Sequence, residues 1–326
     1  MTKPNIHTSR LAGLFVLATL VLSLPAVCAR AADSERPFNP PVGSRWIIET
    51  EINGEEIRPE GKRNSLIRSR AEMTIEANLS DGFRVVYVRR GITAEGNDPS
   101  LPLLRAGMQA LVDVPIRATM DKRGKPVRVD NLTEAKAAMR GAAEALTAPF
   151  KDKPQVLAVL QQMMARLTEA DAVRAAIDYL DEVPQLARAQ GTGMKPGEVR
   201  RSTEMIENPL GGGAIKSNAS FELKEADAAT GRRVFVNTTS YDPAAIKEFT
   251  QSLGKKLMAS GGSSVTPAQI DNILKQMELS LDERSTFEVE DGMTRKVTEK
   301  SVMTVRALGH NLQKTETKTI TVAPTP

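Results

Sequence analysis

Residues 65–90 read SLIRSRAEMTIEANLSDGFRVVYVRR. Ile67, Ser69, Ala71, Met73, Ile75 and Ala77 occupy alternate positions, and Arg68, Arg70, Glu72, Thr74 and Glu76 fill the places between them. A period of two with one apolar and one charged face marks an antiparallel strand that turns one side to a core and the other to water. Asp81-Gly82 ends the run. Both residue types accept positive φ, so a hairpin turn is expected there, with Phe83–Arg90 returning.

The same device recurs along the chain. Ala214–Glu225 sets Ile215, Ala219, Phe221 and Leu223 against Lys216, Asn218, Ser220, Glu222 and Lys224, and Arg232–Tyr241 answers it after a turn at Gly231. Leu279–Glu290 and Met293–Ala307 flank Asp291-Gly292, and Leu312–Val322 follows Leu308-Gly309-His310-Asn311. Trp46–Ile52, Ile116–Met120, Pro126–Val129 and Val199–Glu207 bring the expected total to about eleven strands, many longer than the ordinary ~5–6 residues.

Two helical blocks interrupt them. In the first, Asn131 with Glu134 forms a capping-box-like start to a helix that runs to about Leu146. Asp152 and Pro154 open Gln155–Leu167, and Asp171–Glu182 follows, stopped by Pro184. In the second, Asp242-Pro243 opens a helix carrying Ile246, Phe249, Leu253 and Leu257 on one stripe. Thr266-Pro267 opens another with Ile270, Ile273, Leu274 and Met277. Each stripe has the 3–4 spacing of a helix resting on a core. The stripe Val156, Leu157, Leu160, Met164 and Leu167 is expected to face the same interior as Ile67, Met73, Ile75, Phe221 and Leu223.

The fold expected is therefore α+β: a long, curved, mainly antiparallel sheet of about eleven strands, with two inserted helical blocks covering its apolar face. Residues 32–43 read as a Pro-rich lead-in and 44–326 as a single domain. The element order also suits two related halves, 44–190 and 197–322.

Residues 1–31 read as an export signal. Lys3 and Arg10 precede the apolar run Leu11–Ala29, and Ala29-Arg30-Ala31 offers small residues for cleavage before Ala32. The alternatives are an uncleaved N-terminal anchor and a lipoprotein acylated at Cys28. Periplasmic residence is the expectation, with the membrane reached only through an uncleaved or lipidated N-terminus. Of 44 Lys and Arg, three lie in that segment, which leaves 41 against 40 Asp and Glu. A near-neutral body gives no nucleic-acid footprint.

The only cysteine, Cys28, and one of the two histidines, His7, fall within the signal. The body then has no thiol and one imidazole, His310. This excludes disulfides, a cysteine nucleophile and multi-histidine metal sites. His310 reads as a hairpin-turn residue, since a turn tip gives a catalytic base neither pocket nor orienting partner. Pro209-Leu210-Gly211-Gly212-Gly213 lacks the Lys-Ser/Thr ending and following helix of a phosphate loop and reads as a hairpin connection. Glu222, Glu225, Asp227, Glu288, Glu290 and Asp291 fall on wet faces or in turns opposite Arg and Lys. No catalytic, cofactor-binding or metal-binding residue is singled out. The methionines, Met163 and Met164 among them, suit an adaptable apolar interior or ordinary core filling.

Long antiparallel strands, Asp-Gly turns, the lead-in Phe38-Asn39-Pro40-Pro41-Val42-Gly43-Ser44-Arg45-Trp46 and helices set between hairpins resemble exported bacterial proteins of unknown function. The layout is also similar to the periplasmic lipoprotein-carrier class, in which a curved sheet wraps helices to form an apolar groove. The resemblance implies a non-enzymatic envelope role with an apolar ligand, a lipid or lipopeptide, between sheet and helices. An interaction or structural module that binds another envelope protein is the alternative. A hydrolase built on carboxylates or a Ser/Lys pair is the third reading, and the scarcity of histidine counts against it.

Overall fold

Eleven strands pair into one open sheet in the order β5-β4-β3-β2-β1-β11-β10-β9-β8-β7-β6, every neighbour antiparallel. The computed structural model describes residues 35–207, 214–248, 278–307 and 310–325. The strands are β1 (Arg45–Arg58), β2 (Gly61–Leu79), β3 (Gly82–Gly96), β4 (Pro115–Asp121), β5 (Pro126–Val129), β6 (Val199–Glu207), β7 (Ala214–Asp227), β8 (Arg232–Tyr241), β9 (Glu278–Glu290), β10 (Met293–Ala307) and β11 (His310–Pro324). Two meanders, β1–β5 and β6–β11, meet where the first strand pairs the last, Trp46 opposite Pro324 and Ile57 opposite Gln313. The edges are therefore β5 and β6, and the sheet does not close. Four of its ladders contain register shifts, the β2–β3 ladder two of them at Arg70/Ala71 and Ile75/Ala77, and such bulges bend and twist a strand.

The two Asp-Gly turns differ. Asp291-Gly292 is the two-residue turn the sequence suggests, with φ of 50 and 78°. At the other, Leu79 pairs Gly82, so the tip is Ser80-Asp81 and Gly82 already belongs to β3. Glycine is needed at 82 for a different reason: a Cβ there would collide with the Met120 carbonyl of β4.

Helices α1 (Leu101–Gln109), α2 (Leu132–Thr147), α3 (Pro154–Thr168), α4 (Ala172–Tyr179) and α5 (Val183–Ala187) complete the described elements, with residues 243–248 also helical. α1 was not expected from the sequence. The chain from β5 to β6 must cross from one edge of the sheet to the other, and α2, α4 and α5 make that crossing along one face. Ala135 and Met139, Ala175, Ala176 and Tyr179, and Val183 and Leu186 share a core with Trp46, Ile48, Met73, Ile75, Val85, Phe235, Phe287, Val297 and Ile320.

Three helical expectations need correction. α3 packs on α2 and on the 3₁₀ turn at 148–150, which puts it one layer out. Leu167 reaches the main core, while Leu157, Leu160 and Met164 are half-buried. The side chain of Asn131 does not cap α2; it accepts from the Arg117 amide (2.8 Å) and donates to the Pro115 carbonyl (2.9 Å), tying the helix start to β4. The helix expected at 171–182 ends at Tyr179, with Asp181 at φ 44°, and Pro184 stands in the first turn of α5 instead of stopping its predecessor. Asp171 does cap α4, accepting from the Arg174 amide at 2.8 Å. The connection at 209–213 and most of the helices expected over 246–277 lie outside the described residues. So does the turn at 308–309, across which His310 pairs Ala307 at the start of β11.

Candidate ligand-binding face

Directly paired residues of antiparallel strands point to the same side of a sheet. The ladders therefore trace which side chains share the helix-bearing face, row by row. The rows nearest the helices are apolar and buried: Val85 opposite Ile75, then Tyr87, Met73 and Trp46, then Ile48 opposite Ala71 and Val322. One row further holds Ile92, Ser69, Thr50, Ile320, Val297, Phe287, Phe235 and Leu223. The next is split. Ala94, Ile67 and Ile52 occupy the β1–β3 side, and Lys318, Glu299, Ser285 and Asn237 the other. Beyond lie Gly54, Ser65, Ser301, Glu283 and Thr239, then Met303 opposite Leu281, and Val305 opposite Leu279 and Leu312. These outer apolar residues, Ile52, Ile67, Ala94, Leu281, Met303 and Val305, are only half-buried. Among the described residues, the long strands thus run beyond the rows that α2, α4 and α5 cover.

A buried polar cluster stands at the boundary. The α4–α5 junction lowers Glu182, only 1% exposed, onto the sheet. Its carboxylate accepts from the Tyr87 hydroxyl at 2.6 Å, Thr50 Oγ1 at 3.0 Å and Ser69 Oγ at 3.5 Å. Arg89 donates from Nη2 to Asp181 Oδ2 at 3.2 Å and to the Tyr87 oxygen at 3.4 Å, while its Nη1 lies 3.8 Å from Glu182 Oε1. Lys318 Nζ lies 3.9 Å from Asp181 Oδ1. Burial first, and then the Glu182 carboxylate, push the Tyr87 hydroxyl well above its ordinary range, so it stays a protonated donor. Burial alone would lower the Arg89 guanidinium; Tyr87, Glu182 and Asp181 outweigh it and raise it. Three hydroxyls thus converge on the Glu182 carboxylate, which satisfies most of its acceptor capacity in a buried place.

Across the face, Arg188 donates to Asn237 Oδ1 at 3.2 Å and lies 6.0 Å from the Phe221 ring centroid. Asn237 donates on to Thr239 Oγ1 at 3.1 Å. Burial raises the Glu283 carboxyl above its usual value; the Tyr241 hydroxyl opposes this, Glu299 adds to it, and Arg188 opposes it.

A third buried charge is structural. Arg233, 5% exposed, pairs with Glu35 at 3.0 Å, lies 5.3 Å from the centroid of Phe235 and donates to the Met194 carbonyl. Glu35 also accepts from the Thr192 amide at 3.0 Å and from the Gly193 amide. With Phe38 packed on Trp46 and Phe83, this staples the Pro-rich lead-in to the core.

The other face of the sheet is hydroxylic and charged, with cross-strand pairs such as Arg68 to Glu51 at 2.9 Å and Arg90 to Glu72 at 3.0 Å. A hollow of ≈ 640 Å³ there is walled by Glu49, Glu51, Arg68, Arg70, Thr93 and Thr319 around Gly91. Thr50, Ser69 and Ile92 of the helix-bearing register also line it, and its exposed charges meet across strands, as Arg68 does Glu51. The carboxylates noted in the sequence fall on wet faces or beside turns: Glu222 pairs Lys224 at 2.8 Å, Glu225 and Glu288 pair Arg232 at 3.4 and 3.0 Å, Asp227 ends β7 and accepts from the Ala229 amide of the following turn at 2.9 Å, Glu290 is exposed, and Asp291 sits in a turn. Sequence reasoning missed Glu182, Tyr87, Arg89 and Lys318. The signal for Arg89 was its place on the inward register of Val85 and Tyr87.

No protein-family model matches the chain, and no curated protein does. Among solved structures, lipovitellin, in a study of its lipid–protein interactions, aligns with 88% of this chain at 8% identity and a TM-score of 0.44. The chain spans about a quarter of that protein, 26%. An outer-membrane channel from Pseudomonas putida F1 aligns with 89% of this chain and 98% of its own, at 8% identity and a TM-score of 0.20. Likenesses at this level carry no argument about function.

Proposed function

We propose that this chain is a non-enzymatic exported envelope protein that holds an apolar ligand, a lipid or lipopeptide, on the helix-bearing face of its sheet. The observation that carries the reading is the overshoot. Strands of 14, 19 and 15 residues (β1, β2, β3) continue past the helix-packed core and keep apolar side chains on the inner register. A sheet that needed only its own core would end at the core or turn polar on both faces. The half-buried row of Ile52, Ile67 and Ala94, bordered by a desolvated polar cluster, has the composition of an amphiphile site: mostly apolar lining with a few fixed polar groups.

Export through residues 1–31 belongs to the same proposal. Protein recovered from the periplasm is expected to begin at Ala32, whereas a diacylated Cys28 or an intact N-terminus in the membrane fraction would replace that reading with a lipoprotein or an anchored protein. The ligand is tested by extracting the purified exported protein and analysing the extract by mass spectrometry. A near-stoichiometric acyl lipid supports the proposal. Lipid-free protein that also fails to bind an apolar fluorescent probe overturns it.

A second reading, an interaction module for another envelope protein, is favoured by β6. Among the described residues this nine-residue edge strand pairs on one side only, with Met205 64% exposed, the setting for strand addition by a partner.

A further inference from the structure

We infer that the ligand's chain is joined to its head through a neutral carbonyl, an ester or amide, that accepts a hydrogen bond from Arg89 Nη1 with Lys318 beside it. The inference rests on the proposed ligand-binding role and names the chemistry that the site would read.

Arg89 is 6% exposed. Its Nη2 is engaged, but Nη1 is buried and has no hydrogen-bond partner among the described residues. Glu182 Oε1, at 3.8 Å, is outside hydrogen-bond reach. A buried guanidinium N–H without an acceptor is costly, and such exceptions call for a specific explanation. An incoming acceptor supplies one.

Lys318 is similarly underused. Its side chain is 13% exposed, and among the described residues its one ion-pair contact is the long one to Asp181 at 3.9 Å. Lys318 stands directly opposite Ile52, and Ile52 opposite Ile67. A chain laid along Ile52, Ile67 and Ala94 would bring the first polar atom of its head to this corner.

Charge decides what kind of acceptor fits. The positive charges of Arg89 and Lys318 are already matched by Asp181 and Glu182, and Glu299, opposite Lys318 in the ladder, adds another negative charge. A carboxylate or phosphate would enter as an unbalanced anion in a desolvated place. A neutral carbonyl meets the unused donors without adding charge. The class is therefore ester-linked glycerolipids or N-acylated peptides, not free fatty acids.

The test compares a 1-monoacylglycerol, the 1-O-alkylglycerol of equal chain length and the corresponding fatty acid, by displacement of a fluorescent apolar probe from delipidated protein. The two glycerol compounds differ chiefly in the carbonyl. The ester is expected to bind about tenfold or more tightly than the ether, the scale of one hydrogen bond to a charged group, and also more tightly than the fatty acid. Arg89→Lys keeps the charge, loses the fork and is expected to abolish the ester preference. If that variant does not fold, Lys318→Met gives the second reading and should reduce the preference severalfold. Equal binding of ester and ether by the unaltered protein, or tighter binding of the fatty acid, overturns the carbonyl inference and leaves the apolar-ligand role standing. Failure of all three to bind overturns the role itself.

Discussion

The two ends of the helix-bearing face are built from the same strands and the same alternation, yet they do different work. At the helix-covered end Ile48, Ile75, Val85 and Phe287 are at most 2% exposed and interlock with α2, α4 and α5. At the overshooting end Ile52, Ile67, Leu281 and Met303 occupy equivalent inward positions and are half-buried. The polar cluster of Glu182, Tyr87 and Arg89 marks the change. Alternation commits a residue to a face; only the elements above that face determine whether it becomes core or site.

The sharpest way to break this comparison is to truncate a side chain at the packed end. Phe287→Ala should cost about 3–5 kcal/mol in a urea melt, since an aromatic enclosed by Phe235, Phe221 and Val297 leaves a cavity that cannot collapse. A loss below about 1 kcal/mol would mean the helices do not seal that end.

The boundary comes next. Glu182→Ala leaves Arg89 buried opposite a missing charge and strands three hydroxyl donors, so a loss of about 3–5 kcal/mol is expected. A cycle with Arg89→Met should show strong coupling, the double variant losing less than the two single losses combined. Simple additivity in those melts would show that the pair is not coupled.

At the overshooting end Leu281→Ala should cost about 1 kcal/mol or less, because a half-buried side chain forfeits only part of its transfer free energy. The same variant should lower the lipid content of the purified protein. A loss equal to that of Phe287→Ala would make both ends core and remove the site.

Glu283 offers a pH test. Its carboxyl is raised in the fold, so between its unfolded and folded values the native state binds more protons than the unfolded one. Stability should therefore fall as pH rises through that window above the ordinary carboxylate range, and recover on acidification. Glu283→Gln should remove that component, narrowing the difference between thermal melts at pH 7.5 and pH 5. An unchanged difference would show that Glu283 is not perturbed. The smallest effect is expected on the far face, where Glu72→Ala breaks an exposed pair with Arg90 and should change stability by about 0–1 kcal/mol.

Much of the architecture was legible from residue order. Pro126–Val129, Val199–Glu207, Arg232–Tyr241 and Met293–Ala307 match their strands end to end, and the others lie inside longer ones. β1 runs on to Arg58 and β2 starts at Gly61 because their extensions pair each other, Arg58 with Gly61, a long-range gain that local pattern does not encode. α1 escaped notice for a related reason: LPLLRAGMQ is short, lacks a side-chain cap bond and is held by packing on β3 and α2. Pro184 was misread because proline ends one helix and opens the next with equal ease.

By itself the sequence determined the alternation, and with it which side chains share a face, the hairpins that order neighbouring strands, and a body after residue 31 without thiols and with a single imidazole. Those are local or compositional properties, set by the period of the backbone and by the residue inventory. Only the tertiary structure decided that β1 lies beside β11, so that the two meanders form one sheet. It alone brought Glu182 from a helix junction onto Tyr87, 95 residues earlier in the chain, and left Arg89 with an unused donor beside an apolar row. The physical reason is that desolvation is a property of what covers a residue. An arginine on an inward register reads the same in sequence whether it meets water, a carboxylate or a ligand.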